Sequence, residues 1–113
     1  MHEMSIALNI INLATDFAQK ENAHVIERIQ LDVGTLSGVL IDSLSFCFDA
    51  ASKNTIVENA ELVINAIPAK GNCTDCNNHF DVEQWPSPCP QCGGYFITVS
   101  SGKELKVKSI TIN

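Results

Sequence analysis

Cys73-Thr74-Asp75-Cys76 and Cys89-Pro90-Gln91-Cys92 are two CxxC turns separated by twelve residues. Such a turn aims both of its sulfurs at one spot, and two facing turns supply a tetrahedral cage of four thiolates. That is the ligand set of a closed structural zinc site, with no position left for water or substrate. Disulfides fit the four cysteines poorly. Nothing at the N-terminus has the form of a secretory signal, and a fifth cysteine, Cys47, is left over. Reduced cysteines and the missing signal place the chain in the cytoplasm.

Four thiolates hold iron as well as zinc. Cys89-Pro90-Gln91-Cys92-Gly93 has the form of a rubredoxin knuckle, but rubredoxin-like iron sits among packed aromatics. This segment offers only Phe80, Trp85, Tyr95 and Phe96. Zinc is the preferred ion.

Working outward from the cysteines, the chain falls into an insertion and a host. The expected insertion, residues 68–102, is a zinc ribbon poor in aliphatics, and modules that short usually need a metal to fold. It is entered through Pro68-Ala69-Lys70-Gly71 and left through Ser100-Ser101-Gly102, with Gly71 and Gly102 expected to make each tether bendable. Short strands are expected at His79–Val82 and Tyr95–Val99. The host, residues 1–67 plus 103–113, carries most of the aliphatic side chains.

Within the host, residues 3–20 read as a helix. Met4, Ala7, Leu8, Ile11, Ala14 and Ala18 recur at three- and four-residue steps, and Ile10, Leu13 and Phe17 widen the stripe. So wide a stripe predicts a helix lying deep against a sheet. Val25–Val33 alternates, with Ile29, Leu31 and Val33 on the buried face of a strand. A second helix is expected over Asp42–Lys53, its inner face Leu44, Cys47, Phe48 and Ala51, with Phe46 at the margin. Cys47 there reads as a small buried hydrophobe.

Ala60–Ile67 and Glu104–Ile112 complete the sheet. In the last strand Leu105 and Val107 share one parity and Ile110 and Ile112 the other, which predicts either a bulge near Ser109 or a strand covered on both faces. The expected fold class is therefore α+β: two helices packed on a small mixed three-stranded sheet, with an inserted zinc-ribbon module.

Charge and hydropathy exclude two function classes. With 7 basic and 13 acidic side chains the formal net charge is −6. Nucleic-acid binding needs a basic stripe, and Cys73–Cys92 contains no Lys or Arg. No run reaches the eighteen or so apolar residues of a membrane-spanning helix. An enzyme is poorly supported as well, because no nucleophile–base pairing is visible.

The first residues, Met1-His2-Glu3, carry a second metal motif. A methionine before histidine is normally retained, leaving a free α-amine. That amine, the backbone nitrogen of residue 2 and the His2 imidazole close one five-membered and one six-membered chelate ring. Nitrogen donors in a plane select Ni(II) or Cu(II) over zinc, and loss of the amide proton makes binding strengthen as pH rises. Read alone, a His at position 2 is usually just the ragged end of a chain, and Glu3 is equally a first-turn residue set against the helix dipole. His24 reads as solvated, and His79 as a solvent-facing strand residue.

Met1-His2-Glu3-Met4-Ser5 at the head of an amphipathic helix resembles the start of the HypA/HybF family of hydrogenase nickel-incorporation proteins. Val33-Gly34-Thr35-Leu36-Ser37-Gly38-Val39, Ser43-Leu44-Ser45-Phe46-Cys47-Phe48-Asp49, Ala60-Glu61-Leu62 and the two CxxC turns continue the resemblance in order. It implies a nickel metallochaperone that binds Ni(II) at Met1 and His2 and holds structural Zn(II) in Cys73, Cys76, Cys89 and Cys92. Its cargo would go to the [NiFe]-hydrogenase large subunit, with a HypB-type GTPase as partner and urease accessory proteins as further partners in some bacteria. Glu3 would orient the nickel site or contact the GTPase.

A homodimer is left open by the sequence. Some relatives place a histidine after each CxxC turn, where this chain has Asn77 and Gly93, which puts a second role of such histidines in doubt. The competing reading is a zinc-ribbon protein-interaction module that handles no nickel.

Overall fold

The computed structural model describes residues 2–113. Met1 lies outside the described residues. In chain order the elements are α1 (Glu3–Lys20), β1 (Ile26–Gly34), α2 (Ile41–Ser52), β2 (Glu61–Ile67), β3 (Lys70–Cys73), β4 (His79–Asp81), β5 (Ile97–Ser101) and β6 (Leu105–Ile112).

Helix α1 starts with acidic Glu3 and ends with basic Lys20, each favourable to the helix dipole. It stops at Asn22, which takes the left-handed conformation with φ 55°. The Asn22 and Ala23 N–H groups then donate back to the Gln19 and Ala18 carbonyls at 3.2 and 2.8 Å. That is a Schellman stop, with asparagine in the place glycine usually fills.

The buried face of α1 is Ala7, Ile10, Ile11, Ala14 and Ala18. The three alanines let α2 approach closely, and Leu44 and Phe48 of α2 fill the space beside them. The wide stripe is only partly used: Met4, Leu8, Leu13 and Phe17 are all exposed. A three-stranded sheet is too narrow to cover the flanks of an eighteen-residue helix. Phe46, expected at the margin of α2, is 75% exposed.

Strand β1 is central in a mixed sheet of order β2-β1-β6, parallel to β2 and antiparallel to β6. Helix α2 forms the crossover that parallel pairing requires. Ile29, Leu31 and Val33 of β1 are buried against the helices as the alternation predicts. The predicted bulge is present. Gln30 pairs with Ser109 and Leu31 with Val107, so Lys108 is the inserted residue. The extra residue lets both Val107 and Ile110 pack on the core, while Leu105 stays exposed.

The intervening segment forms a second sheet, antiparallel and ordered β4-β3-β5. Its entry and exit differ from the expected bendable tethers, because Lys70 and Gly71 lie in β3 and Ser100 and Ser101 in β5. A Cβ on Gly71 would sit 2.8 Å from Val82 Cγ2, and one on Gly34 only 2.0 Å from the Gly102 carbonyl oxygen. The Leu36 N–H donates to that oxygen at 2.7 Å, and Gly34 N–H donates to the Glu104 carbonyl at 2.7 Å. Glycines here allow close backbone contact rather than bending.

Candidate metal centre

The two CxxC turns have the same backbone construction. In the first, Asn77 N–H donates to the Cys73 carbonyl at 2.8 Å and Cys73 N–H to the Asn78 carbonyl at 2.9 Å. In the second, Gly93 N–H donates to the Cys89 carbonyl and Cys89 N–H to the Gly94 carbonyl, both at 2.8 Å. The residue after each second cysteine is left-handed, Asn77 at φ 61° and Gly93 at φ 76°. Asparagine and glycine are the residues that adopt this conformation most readily.

These matched turns gather Cys73, Cys76, Cys89 and Cys92 so that all four sulfurs lie within 4.8 Å of one another. The Cys73–Cys92 and Cys76–Cys89 Sγ pairs are each 3.6 Å apart. A tetrahedron with Zn–S bonds near 2.3 Å has edges of about 3.8 Å, whereas a disulfide needs about 2.05 Å. The donor set therefore fits a tetrahedral ion.

Electrostatics within the cluster also call for a cation. Burial pushes the Cys89 thiol up, but the N–H groups of Cys92 and Gln91 and the Asn78 side-chain amide outweigh it, bringing it to about 6. The Asn78 N–H draws Cys76 down, yet burial and hydrogen bonds to the other three sulfurs push it up to about 12. The Gly94 N–H likewise lowers Cys92, and contact with Cys73 together with burial raises it overall. Without a metal, the Cys89 thiolate forms readily while Cys76 and Cys92 resist; a divalent ion removes the conflict.

Asn78 is the participant the sequence did not mark. It bonds the Cys89 sulfur through Nδ2 at 3.7 Å. The Gln91 N–H donates to the same sulfur at 3.4 Å, and any residue but proline would supply it. The only signal for Asn78 is its position two residues past a CxxC turn.

The terminal residues lie elsewhere. His2 is exposed at the head of α1, and its carbonyl accepts the Ile6 N–H at 3.2 Å. Glu3, in the first turn, accepts the Leu40 N–H on Oε2 at 3.4 Å, tying the start of α1 to the start of α2. His24 is exposed next to β1, and His79 is exposed on β4. Cys47 is half-buried and packs against the core. Among the described residues no helix is long and apolar enough to cross a membrane.

Comparison with known proteins follows the same pattern from end to end. The sequence model described as hydrogenase/urease nickel incorporation, metallochaperone, hypA matches residues 1–112. Hydrogenase maturation factor HypA of Prosthecochloris aestuarii is 46% identical over 112 residues, covering 99% of both chains. The factor of the same name from Parabacteroides distasonis is 43% identical, over 99% of this chain and 97% of its own. The solution structure of the Ni metallochaperone HypA from Helicobacter pylori superposes with a TM-score of 0.68 at 25% identity, covering 99% of this chain and 97% of that one. With its two helices, mixed sheet and four-cysteine cluster, the chain belongs to the HypA family of hydrogenase/urease nickel-incorporation metallochaperones, a family of maturation factors rather than catalysts.

Proposed function

We propose that the chain carries Ni(II) at its N-terminus and delivers it during maturation of [NiFe]-hydrogenase. The Met1 α-amine, the backbone nitrogen of His2 and the His2 imidazole are the donors. The observation that carries this reading is the family match beginning at residue 1, on a chain whose His2 stands exposed ahead of α1. Glu3 acts by holding the head of α1 on α2 through its bond to Leu40, which fixes where the terminus emerges. Cys73, Cys76, Cys89 and Cys92 hold structural Zn(II), supported by sulfur spacings that suit a tetrahedral ion.

The partners in this reading are a HypB-type GTPase and the hydrogenase large subunit in the cytoplasm, with urease accessory proteins where urease is a second client. Nickel is cargo, so the site must release it; three donors leave a coordination position open to a receiving ligand, which a closed four-thiolate cage does not. The test is complementation of a strain lacking its own copy of the gene, grown at limiting nickel. Wild type should restore hydrogenase activity, His2→Ala should not, and excess nickel in the medium should partly rescue the variant. Full activity from His2→Ala at limiting nickel would refute the terminal site.

A further inference from the structure

An apolar groove of about 760 Å³ runs between α1 and β6 on the side of the molecule away from β2. Ile10, Leu13 and Phe17 line it from the helix, and Leu105, Val107 and Ile110 from the strand. Leu13 is 50% and Phe17 38% exposed, so large apolar side chains face solvent along its wall. Six consecutive residues of β6, 105–110, line it, which means that it opens along the strand's backbone and not along one face only. Strand β6 is an edge strand paired only with β1 among the described residues. Its outer N–H and C=O groups are free to accept another strand.

Charge gives the groove a sign. Lys106 and Lys108 line it and no Asp or Glu does, in a chain where acidic residues outnumber basic ones 13 to 7. Edge-strand lysines deter indiscriminate pairing; here they also select against a second copy. In an isologous contact the same strand meets itself, which would set the lysines of two copies against each other.

We propose that the groove receives an extended segment of a partner protein with alternating apolar and acidic side chains, which adds to β6 as a fourth strand. Its backbone pairs with the free edge, its apolar residues fill the space against Leu13 and Phe17, and its carboxylates meet Lys106 and Lys108. The groove begins at Ile6, whose N–H is bonded to the His2 carbonyl. A segment seated there has one end beside the first turn of α1. Binding itself requires no nickel, so the proposal stands or falls apart from the nickel site.

The test is selection of a random eight-residue peptide library on the full-length, zinc-loaded protein, with affinities of the selected peptides measured by fluorescence anisotropy. Alternating apolar and acidic residues should be enriched. Leu13→Asp should weaken the selected peptides by about tenfold or more, and methylating alternate peptide nitrogens should do the same. Lys106→Glu with Lys108→Glu should turn the preference to basic peptides. Circular dichroism and zinc content should not change, since all three side chains are exposed. No enrichment, or a consensus indifferent to the charge reversal, would overturn the proposal. So would a wild-type dimer in sedimentation that Leu13→Asp dissociates, because the groove would then belong to a second copy.

Discussion

Asn77 and Gly93 occupy equivalent left-handed positions at the ends of the two CxxC turns, and this explains why neither is an ordinary side chain. Among residues with a Cβ, asparagine, aspartate and histidine are the ones enriched in that conformation. Replacing Asn77 by Gly should leave zinc affinity nearly unchanged. Asn77→Val should weaken it by about 1–2 kcal/mol, since a β-branched residue pays the full left-handed penalty; competition against a chelator will measure both. The thiols make a second prediction at this scale. With Cys89 held near 6 and Cys76 and Cys92 raised, zinc uptake at pH 7 should release protons from Cys76 and Cys92, detectable in weakly buffered solution. The sign follows: as pH falls these thiols hold their protons, so zinc affinity falls with pH.

At the scale of elements, the cysteine spacing makes the tetrad legible, and each replacement should have a local result. Changing any one of Cys73, Cys76, Cys89 or Cys92 to Ser should unfold β3–β5, because structural zinc contributes ~10 kcal/mol or more to such modules. The helices and the β2-β1-β6 sheet should remain, on the proposal that residues 1–67 with 103–113 fold as a separate core. Cys47→Ser should keep one zinc per chain. Metal analysis and amide-resolved NMR will show which elements survive.

Periodicity located α1, β1 and α2 to within a residue or two, and the parity slip in the last strand located the bulge. Strand β3 was invisible because Lys70-Gly71-Asn72-Cys73 has no alternation; it is held by pairing with β4 and β5 on both sides. The exposure of Leu13 and Phe17 was equally hidden. An apolar stripe announces a contact surface without saying whether this chain or another covers it.

At the scale of the whole molecule, 55 × 24 × 16 Å in extent, the two sheets meet at a close-packed neck of Gly34, Ala69 and Gly102. Sequence alone cannot show such a contact, because glycine marks a bend and a close approach alike. Gly34→Ala would drive its Cβ to 2.0 Å from the Gly102 oxygen and should destabilise the protein by about 2–3 kcal/mol in denaturant unfolding. The same neck should make both sheets tumble together, with one correlation time in NMR relaxation.

The central claim concerns the terminus, and calorimetric titration of the zinc-loaded, untagged protein with Ni(II) tests it most directly. One Ni(II) per chain is expected, with affinity rising as pH is raised. His2→Ala and a protein extended by a few residues before Met1 should each lose tight binding, about a hundredfold or more, while keeping their zinc. An extended protein that bound nickel at full strength would contradict the account.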